Sequence, residues 1–169
     1  WEFLQGDITD LYDTYFQTFI RDFDVFSSKT LFKTLGIISF FYTIDRNDKQ
    51  LIESILLNFE IDYYEFQEAL EDLHKKELIE IQYDHVKVSE QIMSTYFFYK
   101  SFIKEKVLSF RTLLTDYFSN WQYRFNDTII PANNSFGYDN VLSQINSDLD
   151  FYLKSIYDNE ENVLDFLKI

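Results

Sequence analysis

The sequence contains no cysteine, only 3 glycines and 1 proline, and few basic residues. The lack of cysteine excludes a disulfide framework and thiolate metal sites, and it suits a reducing cytoplasm, where we expect the protein to work. So little glycine and proline excludes the many tight turns that a barrel or a sandwich requires. The predicted fold class is therefore mainly α.

Basic residues are outnumbered, with 15 Lys and Arg against 29 Asp and Glu, so the 169-residue chain carries a net charge of −14. Nucleic acids and anionic membranes are bound through Lys and Arg, so this charge disfavours both as partners. Hydrophobic residues still make up 46% of the chain and aromatic residues 20%, too much for a disordered acidic tail. The longest apolar run, residues 36–44, is about half of the ~20 residues that a membrane span needs. We therefore expect a packed domain without a membrane partner.

Helical spacing of apolar residues begins near the start of the chain. Residues 7–24 are predicted to form a helix that Asp7 or Thr9 caps. Its apolar stripe is wide enough to need packing partners on two sides: Leu11, Tyr12, Tyr15, Phe16, Phe19, Ile20 and Phe23. A second helix is predicted over residues 29–42, and a third begins at residues 47–48.

The fourth helix has the clearest start. Asp62 is the predicted N-cap, and Glu65 follows three residues later, as in a capping box with Asp in place of Ser or Thr. The inward stripe is predicted to be Phe66, Ala69, Leu70 and Leu73. The outer face is predicted to carry Tyr63, Tyr64, Gln67, Glu68, Glu71, Asp72 and Lys75. Five of these are the predicted interaction face: Tyr63, Tyr64, Gln67, Glu71 and Lys75.

The pattern changes between Leu78 and Val88, where apolar, often β-branched residues alternate with polar ones around residues 83–85. This alternation predicts a β-hairpin. Ser89 is then placed to cap a long helix that runs to about Val107. The side chains predicted to share one side of that helix are Ile92, Tyr96, Tyr99 and Ile103.

The remaining third of the chain is also predicted to be helical. An amphipathic stretch is formed by Leu113, Leu114, Tyr117, Phe118 and Trp121. A loop is predicted over residues 131–137, where proline and glycine stand close together. A helix from about Asp139 follows, with Val141, Ile145, Leu149, Leu153 and Ile156 in line. A short last helix is predicted over residues 160–168.

Three helices, a hairpin and a further helix is the element order of a winged helix, in which the helix before the hairpin enters the major groove of DNA. Here that helix, residues 62–76, has a net charge of −3 and contains no arginine, the commonest reader of guanine. We therefore interpret the winged helix as a protein-packing module. A nucleic-acid-binding regulator, supported by Lys75, Lys76 and Lys87, remains an alternative, as does a structural or oligomerisation scaffold.

Three stretches of this region form a longer pattern. They are Leu35-Gly36-Ile37-Ile38-Ser39-Phe40-Phe41, then Phe66-x3-Leu70-x2-Leu73-His74-x2-Glu77-Leu78-Ile79, then residues 86–99. Together they resemble the winged-helix domain of bacterial STAND-type NTPases over about residues 25–110. The chain begins at Trp1 and ends on apolar residues, which favours a fragment of a larger protein.

The resemblance implies a domain organisation. It assigns residues 1–28 to a helical lid-type segment, residues 29–106 to the winged helix, and residues 107–169 to the start of a helical-repeat sensor. In this family a P-loop ATPase precedes the winged helix, which acts as a latch between ATPase and sensor, and many bacterial members are antiviral sensors. The implied function is a non-catalytic regulatory module whose partners are other domains of the same chain, in a full-length protein that is able to oligomerise.

The nucleotide chemistry itself is missing from this chain. No G-x-x-x-x-G-K-[ST] motif is present, so we predict no enzymatic activity, no catalytic residue and no cofactor. In eukaryotic relatives a Met-His-Asp triplet senses the bound phosphate, and the matching positions here are Val88, Ser89 and Glu90. The resemblance makes Ser89 and Glu90 candidate nucleotide-sensing residues, although Ser89 replaces the histidine. In the alternative interpretation Ser89 caps the next helix and Glu90 complements the helix dipole.

Metal binding is not predicted. The two histidines, His74 and His85, stand on different elements, and their spacing matches no zinc motif.

Overall fold

The fold is mainly helical, as predicted. The computed structural model describes Leu11, Thr14 and residues 29–157. In chain order the elements are α1 (Lys29–Phe41), β1 (Thr43–Asp45), α2 (Lys49–Asn58), α3 (Tyr63–Lys75), β2 (Ile79–Gln82), β3 (His85–Val88), α4 (Gln91–Phe98), a π-helix (Tyr99–Lys104), α5 (Phe110–Phe136) and α6 (Leu142–Tyr157). The helices predicted over residues 7–24 and 160–168 lie outside the described residues, apart from Leu11 and Thr14. Leu11, which was predicted in the inward stripe, is 67% exposed.

Helix α1 is the centre of the fold. Its residues from Leu31 to Phe41 are buried on every side except at Lys33, which is half-buried. A helix that is apolar all round is stable only inside a protein, and α1 packs against α3, α4, α5 and β3. The residues predicted to be buried in this helix are buried, namely Leu31, Leu35, Ile38 and Phe41, and the opposite face is buried with them.

The predicted hairpin is present. Strands β2 and β3 are antiparallel, with Ile79 opposite Val88 and Gln82 opposite His85. Strand β1 adds a third member, giving the order β1-β3-β2 with Ile44 opposite Val86. Sequence analysis missed β1 because three residues are too few to show an alternating pattern.

The structure confirms the predicted cap at Asp62 and the predicted start of a helix at residues 47–48, where Asp48 is the N-cap. The Asp48 carboxylate accepts from the backbone N–H of Leu51, and the Asp62 carboxylate accepts from Tyr64 and Glu65. Such caps satisfy N–H groups that have no partner inside the helix. The Glu65 carboxylate accepts a hydrogen bond from Thr30 Oγ1 at 3.3 Å, which ties α3 to α1.

The predicted cap at Ser89 is wrong. The N-cap position of α4 is Glu90, whose side chain makes no capping bond, and the Ser89 hydroxyl donates to the Glu77 carbonyl at 2.8 Å. Ser89 therefore closes the base of the hairpin, because its hydroxyl meets a carbonyl brought across by strand pairing. Glu90 is exposed at the N-terminal end of α4, where the dipole favours a carboxylate.

The long helix predicted after Ser89 changes form. After Phe98 it widens into the π-helix, and the chain leaves helical structure before Val107. Tyr96, Tyr99 and Ile103 are buried as predicted, whereas Ile92 is 55% exposed. The π-helix buries five consecutive side chains, from Tyr99 to Ile103, which one face of a regular α-helix cannot do.

The loop predicted at residues 131–137 is wrong. Helix α5 continues through Pro131 to Phe136 and ends at Gly137, which has a positive φ of 85°. Thr128, Ala132 and Phe136 recur at helical spacing and are buried, so packing outweighs the cost of about 3 kcal/mol for proline inside a helix. The helix departs from helical geometry at another residue, Trp121.

Helix α6 begins at Leu142, slightly later than predicted, and packs against α5. Val141, Ile145 and Ile156 are buried, and Leu149 and Leu153 are half-buried, as the predicted stripe requires.

One apolar cluster joins all the elements from α1 to the start of α6. It crosses the predicted domain boundary after residue 106, because Leu108, Leu113 and Leu114 pack in the same cluster as α1. The three-part division of the chain remains a prediction. Among residues 29–157, every helix is too short or too polar to cross a lipid bilayer.

Candidate functional site

The predicted interaction face lies on the outer side of α3. Tyr63 is 53% exposed and Tyr64 is 76% exposed, and their ring centroids are 5.7 Å apart in an edge-to-face arrangement. Glu71 and Lys75 are exposed on the same helix, while Gln67 is half-buried. The structure therefore brings these five residues together on one helix.

Arg46 belongs to this face and was not predicted. It follows β1, donates from Nη2 to Gln67 Oε1 at 2.8 Å, and lies 4.0 Å from the Glu71 carboxylate. Its backbone N–H donates to the Asp84 carbonyl in the hairpin turn at 2.8 Å. Arg46 thus links β1, the hairpin and α3. It was missed because strand β1, which brings it there, was missed.

A cluster of carboxylates lies on α3 beside this face. Glu65, Glu68 and Asp72 line a shallow concavity of about 310 Å³, together with Thr30 and Leu31 of α1. The apolar side of α3 is buried in the core, so these carboxylates lie on its outer side. They would repel a phosphate that approached α3.

Two of the three lysines that supported nucleic-acid binding are partnered by carboxylates. Lys87 Nζ lies 3.1 Å from Glu80, and Lys75 Nζ lies 3.9 Å from Asp72. Exposed pairs of this kind are weak, but they reduce the positive field that a phosphate backbone would meet.

The structure does not bring the two histidines and the two nucleotide-sensing candidates, Ser89 and Glu90, into one site. Ser89 is half-buried and bonded to Glu77, and its neighbour Glu90 is exposed. His74 Nδ1 lies 3.2 Å from the Ile79 carbonyl, and His85 is exposed in the hairpin. Within the part of the chain that the structure describes, no group of three His, Asp or Glu side chains is arranged to hold a metal ion.

A second concave surface was not predicted. A cleft of about 720 Å³ lies between the C-terminal end of α1, the N-terminal end of α4 and the middle of α5. Tyr42, Trp121 and Tyr123 form aromatic walls, Ile130 forms an apolar edge and Arg124 lies at the base.

Arg124 holds α5 against the end of α1. Its side chain is buried, with Nε donating to the Phe40 carbonyl at 2.7 Å and Nη2 to the Ser39 carbonyl at 3.4 Å. Nη1 donates to Asp127 Oδ2 at 3.1 Å, and the guanidinium carbon lies 5.2 Å from the Tyr42 ring centroid. Burial lowers the pKa of Arg124, and Asp127 opposes that shift. The guanidinium thus satisfies carbonyls that the end of α1 leaves without partners.

The backbone is strained at Tyr42, on one side of this cleft. Tyr42 has a positive φ of 66°, which is costly for a residue with a large side chain. Trp121 interrupts α5 with φ −129° and ψ 26°. Strain like that at Tyr42 persists only where surrounding contacts maintain it, and it clusters at functional sites.

Comparisons with protein-family models, with curated proteins and with solved structures find no match to this chain. Its function is therefore argued from its geometry.

Proposed function

We propose that residues 29–106 form a winged-helix module that packs against other protein domains through the outer face of α3. The order α1-β1-α2-α3-β2-β3 and the sheet order β1-β3-β2 support this assignment, because a winged helix places a hairpin directly after a helix-turn-helix.

The observation that carries the proposal is the chemistry of the α3 face. Tyr63 and Tyr64 offer exposed aromatic area with a polar end, which protein interfaces favour. The carboxylates around them oppose nucleic acid, and Arg46 is already bonded to Gln67. This combination suits a protein partner.

The proposed parent is a larger STAND-type NTPase in a defence or signalling role. In that setting the module is regulatory and non-catalytic, and it transmits the state of a downstream sensor to an upstream ATPase. The α3 face packs on the nucleotide-binding domain at rest and leaves it when the sensor binds its trigger. The resemblance of residues 35–41, 66–79 and 86–99 to this family supports the proposal.

The parent gene gives the first test. Its open reading frame is expected to encode a G-x-x-x-x-G-K-[ST] motif upstream of Trp1. If the few hundred preceding residues contain no such motif, the NTPase part of the proposal is withdrawn.

The latch is tested in the full-length parent. The double change Tyr63→Ala and Tyr64→Ala is expected to accelerate release of bound ADP by about tenfold, because it removes two aromatic contacts from the resting interface. Tyr138→Ala is the matched control, since Tyr138 is 58% exposed outside α3. Equal rates for both variants would remove α3 from the latch.

A duplex titration tests the nucleic-acid alternative. The chain is expected not to bind random-sequence DNA at low salt, where phosphate contacts are strongest. Binding that weakens steeply with added salt, and that Lys87→Glu abolishes, would replace the protein-packing proposal with the alternative.

A further inference from the structure

The cleft above Arg124 continues into a second, smaller cleft. The second cleft has a volume of about 230 Å³ and is lined by Ile92, Thr95 and Phe136, among others. Both clefts share Gln91 and Pro131, so they form one groove between α4 and α5. We call this surface the α4–α5 groove. It is separate from the outer face of α3, because its lining comes from α1, β1, α4 and α5.

Exposed apolar side chains concentrate along the α4–α5 groove. Tyr42, Ile92, Tyr123 and Ile130 are each at least half exposed, and all four line it. Single exposed apolar residues are ordinary, but a contiguous set in a concave surface marks a place where another molecule binds. Ile92 was predicted to share one side of its helix with Tyr96, Tyr99 and Ile103, which are buried, and a bound partner would cover it as well.

The groove is also held in shape before any partner arrives. Arg124 fixes α5 to the end of α1, and the backbone at Tyr42 is held in a strained conformation. A surface whose walls are already ordered loses little conformational entropy on binding.

Charge defines the kind of partner. The charged residues that line the groove in the described part of the chain are Arg124 and Asp127. The Arg124 guanidinium is buried against Phe40 and Asp127, whereas the Asp127 side chain is 58% exposed and Arg124 contacts its Oδ2. These two charges balance, so the groove lining is neutral, but the exposed member of the pair is the Asp127 carboxylate and the chain as a whole has a net charge of −14. An acidic partner would be repelled, and a basic one attracted.

We propose that the α4–α5 groove binds an apolar protein segment flanked by lysine or arginine. The apolar side chains of that segment lie against Ile92, Ile130 and the aromatic walls, and a flanking cation reaches the Asp127 carboxylate. This is the mode in which an amphipathic helix docks in a groove.

Fluorescence of Trp121 tests the proposal on the full chain. Trp1→Phe makes Trp121 the single tryptophan. The probe is a synthetic amphipathic Leu/Lys helix, and the comparison peptides are the same pattern with Glu for Lys and an oligolysine of equal length. The Leu/Lys peptide is expected to shift Trp121 emission to the blue with saturation, and the other two are expected to leave it unchanged.

Two exposed aliphatic residues, Ile130 in the groove and Leu57 outside it, provide a test variant and its matched control. Ile130→Asp is expected to weaken Leu/Lys binding by about tenfold, although it adds a negative charge that would otherwise favour a basic peptide. Leu57→Asp adds the same charge at a residue that is 79% exposed on α2, and it is expected not to weaken binding. Circular dichroism confirms that both variants fold.

Three results would overturn the proposal. They are an absence of saturable binding, equal binding of oligolysine, and equal effects of Ile130→Asp and Leu57→Asp. Tyr64→Ala is expected to leave peptide affinity unchanged, so the outcome here is distinct from that of the α3 latch.

Discussion

Arg124 joins α5 to the end of α1 through hydrogen bonds to two backbone carbonyls. Replacing it by Leu leaves the buried Phe40 carbonyl without its side-chain donor, while the Ser39 carbonyl keeps the Ser94 hydroxyl as a donor at 3.3 Å. We expect Arg124→Leu to lower the free energy of unfolding by about 3 kcal/mol, since unsatisfied buried polar groups are costly. Urea denaturation measures the change.

Arg111 provides the control for this prediction. It forms an ion pair with Asp148 at 2.9 Å and stacks over Phe151, but its side chain is half exposed. Arg111→Leu is expected to cost less than about 1 kcal/mol, as exposed pairs do. Comparable losses for the two variants would contradict the structural role given to Arg124.

Gly36 of α1 packs directly against Ser101 of the π-helix. A Cβ at this position would lie 2.1 Å from Ser101 Oγ and 2.6 Å from Ser101 Cβ. Helix propensity alone would make Gly36→Ala stabilising by about 1 kcal/mol, so the sign of the effect is diagnostic. We expect instead a loss of about 2 kcal/mol from overpacking.

The partner residue provides the check on Gly36. In a Ser101→Gly background, Gly36→Ala is expected to cost less than in the natural sequence, because the nearest clashing atoms are gone. A double-mutant cycle on unfolding free energies measures this coupling. Stabilisation by Gly36→Ala in the natural sequence would show that the two helices are farther apart than described.

Tyr117 joins α5 to α2. Its hydroxyl lies 2.9 Å from Ser54 Oγ and accepts from Asn58 Nδ2 at 3.1 Å. Burial raises the pKa of Tyr117 above its ordinary value of 10.0, and the two hydrogen bonds oppose that shift. Because the folded state holds the proton more tightly than the unfolded state, stability is expected to fall as the pH rises above about 10.

The variant Tyr117→Phe separates the two effects. At neutral pH it is expected to lower stability by about 1 kcal/mol, through the lost hydrogen bonds. Above about pH 10 the wild-type protein is expected to lose stability more steeply than the variant. Burial also raises the pKa of Tyr152, so some alkaline loss remains in the variant. Parallel pH profiles would contradict the assignment.

At the scale of elements, local chemistry determined what the sequence could predict. The helix start at residues 47–48, the cap at Asp62 and the hairpin at residues 79–88 depend on neighbours within a few residues, and these predictions are confirmed. Ser89 has equally good local capping chemistry, but strand pairing brings the Glu77 carbonyl to its hydroxyl. The tertiary contact prevails there, and the sequence carries no sign of it.

The candidate sites divide along the same line. The outer face of α3 follows from helical spacing, because one helix presents all of it. The α4–α5 groove was not predicted, since its walls come from α1, α4 and α5 and meet only after folding. The same holds for Arg46, which reaches α3 through a strand too short to recognise.

Helix α5 tolerates a proline because both sides of the proline are packed. Pro131 has no N–H to donate along the helix, but Thr128, Ala132 and Phe136 remain buried around it. Pro131→Ala is therefore expected to raise the free energy of unfolding by about 1 to 2 kcal/mol, less than the full propensity difference because proline also restricts the unfolded chain. Thermal and urea unfolding measure the gain. A loss of stability would mean that α5 needs its proline geometry.

At the scale of the whole molecule, one core faces a strongly acidic surface. Aromatic rings fill much of that core, and Phe40 alone lies within ring-contact distance of Phe41, Phe98, Phe102 and Phe125. These contacts join α1, α4, the π-helix and α5. Because the packing is continuous, we expect residues 29–157 to unfold in one cooperative transition. The surface charge then affects the stability of the whole unit.

That charge leads to a prediction about salt. Repulsion among the acidic groups of a chain of charge −14 opposes the compact state, and salt screens it. The Debye length falls from about 30 Å at 0.01 M salt to about 10 Å at 0.1 M, so the melting temperature is expected to rise over this range. The variants Glu53→Gln and Asp116→Asn remove two exposed carboxylates and are expected to reduce the dependence on salt. A melting temperature that falls with salt would mean that attractive ion pairs, such as Lys87–Glu80 and Arg111–Asp148, outweigh the net repulsion.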